Sequence, residues 1–63
     1  MYTLEIARFQ TRCTRFVMRF DSMEAVNAQY ENAVFALYFE GVRAKIRLKH
    51  NGKIIKSAYL RGA

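Results

Sequence analysis

Val42-Arg43-Ala44-Lys45-Ile46-Arg47-Leu48-Lys49 alternates apolar and basic residues without interruption. Successive side chains of an extended strand point to opposite faces, so Val42, Ala44, Ile46 and Leu48 share one face and four cations the other. The strand thus predicts a core and a charged surface together. A second alternating pair lies at the start of the chain. Tyr2, Leu4 and Ile6 alternate with Thr3, Glu5 and Ala7; the polar Gln10-Thr11-Arg12 interrupts; then Phe16, Met18 and Phe20 alternate with Arg15, Val17 and Arg19. This reads as a β-hairpin in which Ile6 faces Phe16, Leu4 faces Met18 and Tyr2 faces Phe20. A one-residue slip would bury arginines, so the parity of the register is fixed by the pattern.

Asp21-Ser22-Met23-Glu24 carries a helix start: a capping oxygen, Glu24 three residues after Asp21, and Phe20 available as a hydrophobic staple. Met23, Val26, Tyr30, Val34 and Leu37 then recur at helical spacing, and Gly41 supplies a left-handed residue just past the end. A helix of about five turns is expected. The alternative is a shorter helix ending at Asn32 and a strand over Ala33-Val34-Phe35-Ala36-Leu37-Tyr38-Phe39, because a short apolar run fits both periods. With the long helix, Phe35 and Phe39 lie off the core stripe and form an exposed apolar patch.

His50-Asn51-Gly52-Lys53 holds the sharpest turn signal, since Asn-Gly satisfies the positive φ angles of a type I′ hairpin turn. Uninterrupted pairing from that turn sets Leu48 on Ile55, Ile46 on Ser57 and Ala44 on Tyr59 inside. Outside, Lys49 meets Ile54, Arg47 meets Lys56, Lys45 meets Ala58 and Arg43 meets Leu60. The fold class is therefore α+β: a four-stranded antiparallel sheet with one helix packed on one face, ββαββ, the alternative being ββαβββ. No boundary or repeat divides residues 1–63, so one compact domain is expected.

Composition narrows the function. At 63 residues only about 60% of the unfolded chain's surface can be buried, which leaves little room for a deep cleft beside a complete core. A hydrophobic fraction of 52% without a proline excludes a disordered linker. The net charge is +6, and residues 41–63 carry seven cations and no acid. That asymmetry favours an anionic partner. The candidate binding face is Arg43, Lys45, Arg47, Lys49 and Lys56, joined by Arg15 and Arg19 if the hairpins lie side by side, with Ile54, Leu60 and Val17 as apolar contacts.

The predicted face has cations and aliphatics but no aromatic among them; only Phe9, near the first turn, is placed to stack. An acidic protein surface or nucleoprotein complex is therefore preferred over nucleic acid, which remains the alternative for the same face. An exposed sheet edge offers a further contact, by adding to a partner's strand. A homodimer that buries Phe35 and Phe39 is the third reading.

No chemistry competes with binding. The lone Cys13 and His50 stand without a second metal ligand or a catalytic motif, so no enzyme, metal or cofactor is expected. A single cysteine cannot close an intramolecular disulfide and fits a reducing cytoplasm. The chain opens on alternation instead of a basic segment and an apolar run, which argues against a signal peptide. The segment between Ser22 and Glu40 has no Lys or Arg, which argues against a basic amphipathic membrane helix. A cytoplasmic protein without membrane association is the expectation.

Phe20-Asp21-Ser22-Met23-Glu24-Ala25 leading into a helix with Tyr30-Glu31, then a Gly-led alternating strand and Asn51-Gly52-Lys53-Ile54-Ile55, resembles very small phage and mobile-element proteins. The resemblance implies a host-takeover or anti-defence protein, such as an anti-CRISPR or a polymerase inhibitor, working in the host cytoplasm by occupying a surface.

Overall fold

The computed structural model describes residues 1–9 and 13–62. The expected interruption at Gln10-Thr11-Arg12 lies outside the described residues. Two strands, β1 (Tyr2–Phe9) and β2 (Cys13–Phe20), precede helix α1 (Met23–Glu40), and two more follow it, β3 (Arg43–His50) and β4 (Lys53–Arg61). They form one antiparallel sheet in the order β2-β1-β3-β4, so the two hairpins lie side by side. The α+β class and the ββαββ order follow the expectation.

In the first hairpin Tyr2 faces Phe20, Leu4 faces Met18 and Ile6 faces Phe16, as the alternation predicts. Between hairpins Leu4 opposes Leu48 and Ile6 opposes Ile46. The core is thus a ladder of the two central strands, with Leu4 and Ile6 from β1 and Ala44, Ile46 and Leu48 from β3. Val26 and Leu37 of α1 cover it. Residues 33–39 belong to the helix. The physical reason is coverage: the apolar face of a sheet must be packed against another layer, and a fifth strand would have left it half open.

Both helix ends are closed by side-chain and left-handed caps, the N-terminal one a residue later than the Asp21–Glu24 spacing implies. Ser22 is the N-cap, its Oγ accepting from the Ala25 N–H at 3.1 Å, and Gly41 at φ 71° donates its N–H to the Tyr38 carbonyl. Asn51 and Gly52 both have positive φ, 51° and 84°, as a type I′ turn requires. The same turn ties down the chain start, since the Met1 ammonium donates to Asn51 Oδ1 at 3.1 Å and the Asn51 N–H donates to the Met1 carbonyl. His50, beside the turn, is half-buried and stacks on Tyr2 with ring centroids 4.2 Å apart.

The second hairpin departs from the predicted register. Lys49 opposes Ile54, as expected, but Leu48 opposes Lys56, which leaves Ile55 as an extra residue in a β-bulge. Beyond it every side chain of β4 changes face. Ala58 now opposes Ile46 and Leu60 opposes Ala44, and both pack against the core. Uninterrupted pairing would have put the Ser57 hydroxyl beneath the helix and left Leu60 in water. On the helix side the bulge thus replaces Ile55, Ser57 and Tyr59 by Lys56, Ala58 and Leu60. The serine hydroxyl and the bulky tyrosine leave the core's edge, two aliphatic side chains take their places, and Lys56 comes in at the rim with its ammonium hydrogen-bonded.

A second departure concerns β2. Phe16 and Met18 share the helix side of the sheet with Leu4 and Ile6, yet they are 49% and 39% exposed. The helix rests over β1 and β3, and neither β2 nor β4 supplies a fully buried residue.

Candidate functional site

The sheet face opposite α1 is built from every second residue of each strand. β2 contributes Cys13, Arg15, Val17 and Arg19; β1 contributes Phe9, Ala7, Glu5 and Thr3. β3 contributes Arg43, Lys45, Arg47 and Lys49. Past the bulge β4 contributes Ser57, Tyr59 and Arg61, with Ile54 before it. Arg15, Arg19, Arg43, Lys45, Arg47 and Lys49 therefore share the face, as the sequence predicts, and Arg61 joins them.

Lys56 and Leu60 do not belong to this face. The bulge turns Lys56 to the helix side, where its Nζ donates to Asn27 Oδ1 at 2.6 Å and lies 5.7 Å from the Tyr30 ring centroid. Leu60 is half-buried against the core. Ile54 stays on the outer side opposite Lys49 and is 53% exposed. The same inversion brings Tyr59 out of the expected core position and in among the cations. An aromatic ring thus stands on the basic face after all, with its hydroxyl accepting from Arg43 Nη2 at 3.3 Å.

Glu5 is the one carboxylate on the face among the described residues. Its Oε2 lies 2.7 Å from Lys49 Nζ and its Oε1 accepts from Arg15 Nη2 at 3.0 Å. Hydrogen bonds from Lys49, then from Arg15, hold its carboxyl below the usual range, against the opposing effect of burial. Both partners are diagonal neighbours. Arg47, directly opposite Glu5, takes part in no ion pair among the described residues. The signal for Glu5 was the same alternation that sends Leu4 and Ile6 inward, but its partners are set by cross-strand pairing.

One acid against seven cations leaves like charges facing each other. Arg43 sits directly opposite Arg61, a cross-strand arrangement that destabilises an isolated sheet. Beside it, a groove of about 230 Å³ is lined by Phe9, Cys13, Arg15, Lys45, Arg47 and Glu5. A larger groove of about 520 Å³ lies at the far end of α1 between Tyr38, Phe39, Val42, Tyr59 and Leu60, with Arg61 as its charged residue.

Phe35 and Phe39 point away from the sheet, 65% and 72% exposed, with ring centroids 4.8 Å apart edge to face. With Tyr38, 70% exposed, they form the apolar patch expected of the long helix. Arg8 pairs with Glu40 at 3.2 Å across the helix C-terminus. Among the described residues no three His, Cys, Asp or Glu side chains cluster as metal ligands, and no helix is long and apolar enough to cross a membrane. Comparison with known proteins gave no match to any family model, curated protein or solved structure.

Proposed function

We propose that this chain is a non-enzymatic binding protein that docks its basic sheet face on an acidic surface of a larger protein or nucleoprotein complex. It acts by occupying that surface, as phage-type inhibitors of the anti-CRISPR or host-takeover kind do. The observation that supports the reading is Arg43 opposite Arg61 beside Lys45 and Arg47, with Glu5 already engaged by Lys49 and Arg15. Facing cations cost stability in the free domain, and a partner's carboxylates or phosphates remove that cost.

Tyr59 favours a second reading, a small nucleic-acid-binding protein that uses the same face. With Tyr59 at 52% exposure and Phe9 lining the groove, bases have stacking surfaces between the cations that contact phosphates.

One pair of experiments tests both. In pull-downs from a bacterial lysate, the Arg43→Glu/Arg47→Glu variant is expected to lose partners that Lys56→Glu, altered on the helix side, retains. Identical partner sets for the two variants would remove the sheet face. In parallel, fluorescence anisotropy with labelled single- and double-stranded oligonucleotides tests the second reading: absence of binding at low ionic strength excludes it, and a salt-dependent affinity weakened by Tyr59→Ala supports it.

A further inference from the structure

β2 is an edge strand whose outer backbone is paired with no other element among the described residues. It runs eight residues without a bulge or a proline, in unbroken register with β1. Phe16, Val17 and Met18, three consecutive apolar residues at its centre, are 49%, 54% and 39% exposed. The opposite edge differs in its regularity, although it too exposes apolar residues, Ile54 and Ile55. β4 is broken by the bulge at Ile55 and carries Lys53, Lys56 and Arg61. Bulges and charged side chains are the usual means of keeping an edge from pairing with a new strand. β2 has no bulge, and its two charges, Arg15 and Arg19, lie on one face and flank the apolar centre, so they oppose a basic strand and admit an acidic one.

We propose that β2 is a docking edge for an extended segment of a partner protein, which adds to the sheet as a fifth strand. The proposal goes beyond docking on the sheet face, because the contact is the backbone of one strand and the flank of the helix layer. The side chains of β2 specify the occupant. On the helix side Phe16 and Met18 require apolar neighbours, since α1 leaves them half uncovered. On the other side Arg15 and Arg19 flank Val17; Arg19 has no ion pair among the described residues, and Arg15, although its Nη2 donates to Glu5, is 64% exposed and has further N–H groups for a second carboxylate. A complementary strand therefore reads acidic, apolar, β-branched, apolar, acidic over the five positions facing Arg19, Met18, Val17, Phe16 and Arg15.

Charge argues against a second copy in this place. Pairing two β2 strands about Val17 would set Arg15 directly against the partner copy's arginine at position 19, and every register brings together two chains of net charge +6. An acidic strand gains from the same arginines that a second copy would have to oppose.

The test uses a capped heptapeptide, Thr-Glu-Val-Thr-Ile-Glu-Thr, and its counterpart with both Glu replaced by Lys, titrated into the isotope-labelled full chain. Amide shifts are expected to be largest along β2, and exchange of β2 amides is expected to slow at least tenfold at saturation. The lysine peptide should leave the spectrum unchanged at the same concentration. Arg19→Glu should weaken the acidic peptide at least tenfold; if that variant does not fold, Met18→Glu tests the same edge from the helix side. Shifts confined to β3 and β4 would overturn the edge while leaving the basic face as the docking surface. No shift at millimolar peptide would also overturn it, and the pull-down and oligonucleotide experiments would still judge the face independently. Light scattering that reports a dimer, with β2 amides protected before any peptide is added, would assign the edge to a second copy instead.

Discussion

The Glu5 carboxylate lies 2.7 Å from the Lys49 ammonium, across the pairing of β1 with β3. It is only 14% exposed and also holds Arg15, so one acid ties three strands together at the centre of a basic face. It acts as an internal counter-ion that leaves Arg43, Lys45, Arg47, Arg19 and Arg61 for an external anion.

Glu5→Gln should therefore destabilise the domain at neutral pH by about 1 kcal/mol while tightening its binding to polyanions. Because the folded state holds the carboxyl below its ordinary value of 4.5, the stabilisation is complete above that pH. It is lost as pH falls through the lowered folded value. Urea denaturation of both proteins at several pH values should show the gap between them closing on acidification. A gap that persisted at the acid end would show that Glu5 acts through packing instead.

Deleting Ile55 should be tolerated. With that residue gone, Ile54 still opposes Lys49 and Lys56 still opposes Leu48, but the bulge is removed and Ala58 and Leu60 keep their core positions. A stability change below about 1 kcal/mol is expected, given that Ile55 is 45% exposed. Amide shifts that move Tyr59 off the basic face would contradict the assigned register.

Leu48→Ala should come close to unfolding the protein. The side chain is fully buried at the centre of the β1–β3 ladder, and such truncations cost about 2–5 kcal/mol. A domain of 63 residues has a total of roughly 3–9 kcal/mol by per-residue scaling. Val17→Ala, on the exposed edge strand, is the contrasting case, and chemical denaturation should separate the two by more than 1 kcal/mol.

Phe35→Ser and Phe39→Ser should each change stability by less than about 1 kcal/mol, because the two rings touch each other and point away from the core. If thermal melting shows a larger loss that grows with protein concentration, the patch is buried between copies, and light scattering on the wild type should then report a dimer.

Much of the fold was legible from local chemistry. The segment Asp21–Glu24 and Gly41 bounded the helix to within a residue, Asn51-Gly52 fixed the second turn, and alternation set the parity of β1, β2 and β3. The basic face was legible to the same extent: six of its predicted cations share one side of the sheet, whereas Lys56 does not. That error had one source. Between Ile54 and Leu60 the residues do not alternate strictly, so no local signal marks where the register slips, and one slip moved Lys56, Tyr59 and Leu60 together. The exposure of Phe16 and Met18 was equally hidden, since alternation tells which face a side chain takes but not whether a helix reaches it.

The sequence by itself determined the period-two and helical patterns, the caps, the Asn-Gly turn and a chain with its cations alternating along one strand, because each depends on residues within a few positions of one another. Tertiary structure alone decided where β1 meets β3, which acid answers Lys49, where β4 bulges and how far α1 covers the sheet. Those outcomes come from competition for one small core, where Ala58 and Leu60 pack at its edge in place of Ser57 and Tyr59 at the expense of an unbroken ladder. A single eighteen-residue helix, lying over the two central strands, leaves β2's apolar side half open.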